Sequence, residues 1–136
     1  MLKFFNRRIF ILFIFPFILG SITVLGFSPY NLLFVNAFSI TILFYLIFYV
    51  KKKTQSSYRK KPFFKNLFFL GSSYGFGFFL FGIYWITLSL TFDETFQFLI
   101  PFALFLIPLF LSLFFSLPIV LIGYFIELKI SSIVLI

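Results

Sequence analysis

Four apolar runs occupy most of the chain and limit what it can fold into. They cover about residues 9–27, 30–50, 66–90 and 98–126. Roughly 20 apolar residues in a helix cross the hydrocarbon core of a bilayer, and each run approaches or exceeds that length. The break between the first two runs is so short that their helices must form an antiparallel hairpin. The sequence therefore predicts an all-α membrane protein that forms a four-span antiparallel transmembrane helix bundle.

The charge distribution predicts how this bundle is oriented. The formal net charge of +8 would suit nucleic acid in a soluble domain, but 62% of the residues are hydrophobic, against about 45–50% in soluble domains. Most of the basic residues fall in one loop, Lys51–Lys65, between two apolar runs. Basic loops are retained in the cytoplasm. We therefore expect a cytoplasmic N-terminus and loop, and no nucleic-acid partner.

The first apolar run has two interpretations. It follows a short basic head, and Leu19, Gly20 and Ser21 resemble the cleavage site of a signal peptide. The run continues past these residues at nearly spanning length, which favours a retained first helix. After it, Ser28 is predicted to cap the second helix, because Pro29 suits the first position of a helix.

The third run contains a stripe of small residues within Gly71–Thr91. At alternating steps of four and three these positions share one helical face. The residues on this face are Gly71, Gly75, Phe78, Gly82, Trp85 and Ser89. In lipid, helices associate where small residues let their backbones approach closely. We predict a helix-packing role for Gly71, Gly75 and Gly82.

The sequence contains few residues that could form a catalytic site. It contains no Cys and no His, which excludes thiolate nucleophiles, imidazole bases and the commonest zinc sites. Asp93 and Glu94 are adjacent acids in a short predicted outer loop, without a base or metal ligand beside them. No charge lies deep in an apolar run, which disfavours a pump or transporter. We predict no catalytic residue, no metal site and no cofactor.

Two motifs in the chain occur in a recognisable order. The segment LGFSPYNLL follows the first run, and GSSYGFGFFLFGIYWITLSLTF lies in the third, with the basic loop between them. This arrangement resembles the N-terminal membrane region of bacterial apolipoprotein N-acyltransferase. The resemblance runs from Phe27 through Ser89 and loosely on to Glu127. The chain departs from the family in its long lysine-rich loop and in the acids Asp93 and Glu94, where a glycine-rich segment is expected.

The resemblance implies an enzyme of the bacterial inner (cytoplasmic) membrane that crosses it several times. The family has eight spans and a nitrilase-like domain on the periplasmic face. It takes an acyl chain from phospholipid, holds it as a thioester on a Cys, and transfers it to the lipidated N-terminal Cys of an apolipoprotein. The catalytic Glu, Lys and Cys of the family have no counterparts here. Residues 1–136 are therefore interpreted as the N-terminal membrane domain, in a truncated or partial form; the alternative is a small stand-alone structural or accessory membrane protein.

The resemblance also suggests where lipid substrate would be contacted. Phe27, Ser28 and Pro29 end the first span on the outer side, to which Trp85 and Ser89 rise from the third. An aromatic ring and a nearby hydroxyl suit a lipid ester or headgroup, but bundle packing and interfacial anchoring explain the same residues. The expected partners are membrane phospholipid and, with the rest of the enzyme, an apolipoprotein.

Overall fold

Four helices make up the part of the chain that the structure describes. The computed structural model describes residues 9–27, 30–55, 63–84 and 98–134. The helices are α1 (Phe10–Gly26), α2 (Leu33–Gln55), α3 (Phe63–Gly82) and α4 (Ile100–Val134). This confirms the predicted all-helical class. Two of the helices, α2 and α4, contain segments long and apolar enough to cross a membrane, Leu33–Lys53 and Ile100–Phe125, whereas α1 is a shorter apolar helix.

Helix α1 changes its winding along its length. It opens with a π-helical turn, Phe10–Ile14, in which the N–H of Phe15 donates to the carbonyl of Phe10, five residues back. Pro16 follows at once and has no N–H to donate, so the regular pattern of hydrogen bonds is already interrupted here. The helix closes with a 3₁₀ turn, Val24–Gly26.

The connection from α1 to α2 explains why the second helix begins later than predicted. Asn31 adopts a left-handed conformation, with φ of 53°, which a right-handed helix cannot include. Its N–H donates to the carbonyl of Phe27 at 2.9 Å, and α2 begins only at Leu33. Ser28 and Pro29 lie outside the described residues, as does their predicted capping interaction.

Helix α2 also extends further than predicted, into the basic stretch. It continues to Gln55, so Lys51, Lys52 and Lys53 are helical, and the first of these is buried. Lysine is a good helix former, and positive charge is favourable in the last turns of a helix, where the carbonyl groups lack partners. The middle of the predicted loop lies outside the described residues.

Helix α3 is the centre of the bundle. It packs along α1 on one side and along α4 on the other, whereas α2 packs less extensively, mainly against α1 and α3. The buried core accordingly includes Leu67, Leu70 and Tyr74 of α3, joined by Leu19 of α1 and Ile119 of α4. The prediction extended this helix to residue 90, but residues 85–97 lie outside the described part of the chain.

Helix α4 begins with Pro101 in its first turn and accommodates two more prolines, Pro108 and Pro118. It continues beyond its predicted end at residue 126. Two serines on this helix satisfy their hydroxyls locally. Ser112 donates to the carbonyl of Leu109 and Ser116 to that of Leu113, at 2.6 and 2.7 Å. Both serines can therefore lie buried at a helix contact without a polar partner on the neighbouring helix.

Most of the side chains on the outward faces of the four helices are apolar. Phe34 on α2 is 89% exposed, and large apolar side chains are exposed along α1, α3 and α4 as well. Soluble proteins rarely expose contiguous apolar surface on this scale. Hydrocarbon is the environment that suits such a surface, because it makes no demand for hydrogen bonds or charge.

Candidate functional site

Helices α3 and α4 approach each other through small residues. A Cβ atom added at Gly71 would lie 2.6 Å from the Cα of Ser116, and one added at Gly75 would lie 2.9 Å from the Cα of Ser112. Real Cβ atoms essentially never come closer than 3.0 Å to another heavy atom. The two backbones therefore lie so close here that neither glycine position has room for a side chain.

A second close contact, which the spacing of small residues did not predict, joins α3 to α1. A Cβ added at Gly77 would overlap the carbonyl of Phe17, and one added at Gly20 would overlap the carbonyl of Tyr74. Each helix thus contributes a glycine against the backbone of the other. The G-F-G segment contained the signal, because Gly75 and Gly77 are two residues apart and point to roughly opposite sides of a helix.

Gly82 differs from the other two glycines of the predicted stripe. A Cβ added there would meet only Cγ2 of Val24, at 3.8 Å, which is ordinary van der Waals contact. Gly71 and Gly75 lie at the α4 contact, whereas Gly82 faces the end of α1. The predicted packing role of all three stays a prediction that substitutions can test.

Phe27 is the one predicted lipid-contact residue whose placement the structure describes. Its ring lies edge-on to that of Phe78, with centroids 5.7 Å apart, and its side chain is 52% exposed. The end of α1 therefore lies against α3 at a residue that precedes Trp85 by seven positions in the sequence. Ser28, Pro29, Trp85 and Ser89 are outside the described residues, so the proximity of the two motifs stays a prediction.

A buried hydrogen bond also links α1 to α3. The Oγ1 atom of Thr23 lies 3.0 Å from the hydroxyl oxygen of Tyr74. Thr23 donates its own proton to the carbonyl of Leu19 at 2.7 Å, so Tyr74 is the donor of the bond between the two helices. This link satisfies both hydroxyls in an otherwise apolar contact.

Replacing Tyr74 with Phe is expected to reduce stability modestly. Hydrogen bonds between membrane helices contribute about 0.6 kcal/mol on average, and Thr23 keeps its bond to Leu19 in the variant. Thermal unfolding in detergent measures the change. Tyr45→Phe on exposed α2 provides the control. A melting temperature for Tyr74→Phe equal to that of Tyr45→Phe would show that the bond contributes nothing.

Two grooves are lined entirely by residues that the structure describes. The larger, of about 800 Å³, lies between α1, α3 and α4 and is almost entirely apolar. Its lining includes Phe13, Phe17, Phe69, Phe76, Ser73 and Leu109. A second groove of about 550 Å³ lies between α1 and α2, and Ser39 lines it. Both are open at the side, so each could take an apolar chain from the surrounding environment.

The described residues form apolar grooves and close helix contacts, but they do not form a group of reactive side chains. Among residues 9–27, 30–55, 63–84 and 98–134, no group of His, Cys, Asp or Glu is arranged to hold a metal ion. The adjacent acids Asp93 and Glu94 lie outside these ranges. The arrangement can hold helices together closely and can receive apolar ligands.

The fold and these contacts define an all-helical membrane domain with a glycine-packed central helix. The family model described as the apolipoprotein N-acyltransferase N-terminal domain matches residues 19–136. The chain belongs to this family, and the resemblance seen in the sequence is confirmed. No curated protein and no solved structure matches the chain.

Proposed function

We propose that this chain is the membrane portion of an apolipoprotein N-acyltransferase and takes part in lipoprotein maturation. The family transfers an acyl chain from phospholipid to the lipidated N-terminal cysteine of a lipoprotein. The observation that carries the proposal is the family match, which covers residues 19–136 and so includes all of α2, α3 and the described part of α4. Both the FSPY segment and the glycine-rich third helix fall within it.

The proposed role of these residues is to hold and position lipid, not to perform the transfer. Formation of a thioester needs a thiolate and a base to activate it, and the chain has neither Cys nor His. Serines cannot take over, because among the described residues no base stands beside Ser72, Ser73 or Ser112 in the large groove. We therefore propose a partial form that lacks the catalytic residues.

We further propose that all four helices cross the bacterial inner membrane, with the N-terminus in the cytoplasm. Packing directions support this arrangement. Phe13 contacts Phe69 and Phe17 contacts Phe76, so α1 and α3 run in the same direction. Phe76 also contacts Phe105, while Gly71 lies against Ser116, so α4 runs in the opposite direction. Successive spans of a bundle alternate in this way.

The topology can be tested with single cysteines, because the natural chain has none. We expect Thr95→Cys to react with an impermeant thiol reagent added to intact spheroplasts and Ser57→Cys to react only after lysis, because basic loops remain in the cytoplasm. Reaction of Ser57→Cys alone in intact spheroplasts would reverse the proposed orientation.

The function can be tested by comparing the chain alone with a graft. The purified chain, mixed with phospholipid and a diacylated lipopeptide, should transfer no acyl chain. The same region, replacing its counterpart in a complete family member, should support growth of cells depleted of the enzyme. A graft that reaches normal membrane levels but fails to rescue would contradict the proposed function, and turnover by the chain alone would contradict the proposed lack of catalysis.

The same graft tests the proposed lipid contacts at Phe27, Ser28, Pro29, Trp85 and Ser89. Trp85→Ala should lower acyl transfer by the graft while leaving its membrane level unchanged, because an interfacial aromatic ring is positioned to contact lipid. Tyr45→Phe, on the exposed face of α2, is the control. Unchanged transfer by the Trp85→Ala graft would assign this residue to anchoring alone.

A further inference from the structure

The large groove has the size and character of a binding site for an apolar chain. At about 800 Å³ it falls within the range of roughly 300–1,000 Å³ typical of ligand sites. Along α3 it extends from Phe68 to Phe76, a distance of about 12 Å at the rise of an α-helix. Phenylalanine side chains from α1 and α3 form much of its wall.

A positive charge stands beside one end of this groove. The exposed side chain of Lys65 places its Nζ atom 6.0 Å from the centre of the Phe69 ring, and Phe69 lines the groove. Phe69 in turn packs against Phe13 of α1, which also lines the groove, with ring centroids 5.3 Å apart. An apolar groove with a cation at its end complements a molecule that has an apolar chain and an anionic head.

A phospholipid matches this combination. An acyl chain needs no hydrogen bonds and can lie between apolar helices, whereas an irregular peptide segment would bring backbone groups that lipid-facing surroundings cannot satisfy. A phosphate group would lie at the level of the lysine, where basic residues attract anionic headgroups. We propose that this groove binds one acyl chain of an anionic phospholipid, whose phosphate lies beside Lys65.

The proposed phosphate position beside Lys65 lies far from the proposed substrate contact near Phe27. Phe27 packs on Phe78, which lies thirteen residues beyond Lys65 on α3, or about 20 Å along the helix. The two locations are therefore near opposite ends of α3. The inference depends on the membrane environment of the chain and not on acyl transfer, so the two proposals can fail independently.

Lipid retention by the purified full chain tests whether the positive charge of Lys65 holds the phosphate of the lipid. The protein is equilibrated in detergent with phosphatidylglycerol or phosphatidylcholine, and bound lipid is counted by native mass spectrometry. Lys65→Gln should lower retention of phosphatidylglycerol roughly fivefold and leave phosphatidylcholine unchanged. Lys53→Gln is the matched control, because its Nζ also lies over an aromatic ring, that of Tyr49, but away from the groove. Equal losses in the two variants would overturn the proposal.

A large side chain introduced into the groove tests whether the groove binds an acyl chain. Ser73→Phe should lower retention of both lipids, whereas Ile40→Phe, on an exposed face of α2, should leave both unchanged. Undiminished retention by Ser73→Phe would overturn the proposal. Lys65→Gln alters only an exposed side chain, so the charge test remains decisive even if Ser73→Phe fails to fold. Disulfide-linked dimers of Ser73→Cys in membranes would assign the groove to a second copy of the chain and would also overturn it.

Discussion

Gly77→Ala is expected to lower the free energy of unfolding by about 1–3 kcal/mol, the usual effect of overpacking. The added Cβ would overlap the carbonyl oxygen of Phe17 and lie 3.0 Å from both its carbonyl carbon and the Oγ of Ser21. Backbone atoms cannot rotate away as a side chain can, so α1 as a whole has to shift. Thermal unfolding in detergent should show a melting temperature several degrees lower.

Gly82→Ala is the matched control for this prediction. It makes the same chemical change on the same helix, but the new Cβ meets only Val24 in ordinary contact. Alanine also has the higher intrinsic helix propensity, so this variant should be as stable as the natural chain or slightly more stable. Equal melting temperatures for the Gly77 and Gly82 variants would mean that α1 and α3 do not approach as described.

Gly75→Leu should lower the free energy of unfolding more than Gly77→Ala does, by about 3 kcal/mol or more, because a whole side chain enters the contact between α3 and α4. The position of the new Cβ is 2.9 Å from both the Cα of Ser112 and the Cβ of Phe115. We expect a lower melting temperature and less monodisperse protein after extraction in detergent.

A second-site change distinguishes backbone from side-chain crowding in this variant. Ser112→Gly should not restore the stability of Gly75→Leu, because the obstructing atoms of Ser112 are its Cα and carbonyl oxygen. Restoration to the natural melting temperature would indicate that only the serine side chain was in the way. Leu80→Ala, elsewhere on α3, should matter less than Gly75→Leu.

The apolar runs were sufficient to predict four helices, because length and composition determine where helices form in a lipid environment. Their ends were harder to predict. The FSP pattern suggested a helix start near residue 30, but Asn31 is left-handed and α2 begins at Leu33. The lysines from Lys51 suggested a loop, yet their helix propensity and the charge preference of a helix end carry α2 to Gln55.

The contacts between helices were predicted only in part. The periodicity of small residues identified a face of α3 that contains Gly71 and Gly75, and this face packs against α4. It could not identify the opposite contact, since Gly77 becomes meaningful only when paired with Gly20, more than fifty residues earlier. The hydrogen bond between Thr23 and Tyr74 likewise joins two residues that are far apart in the sequence. Such pairs depend on which helices are neighbours, and a one-dimensional pattern of small residues does not specify that.

The pairing of α1 with α3 has a consequence for biogenesis. Ribosomes make α1 first and α2 next, yet the close backbone contact of α1 at Gly20 is with α3, whereas Gly26 of α1 meets α2 only through the side chain of Asn36. In the proposed four-span topology, the backbone around Gly20 still lacks the helix that will cover it when α1 and α2 have left the insertion machinery. Nascent chains stopped before α3 should therefore leave the packing surface of α1 uncovered and accessible to quality-control proteases. Assembly of the helices requires that α3 has been synthesised.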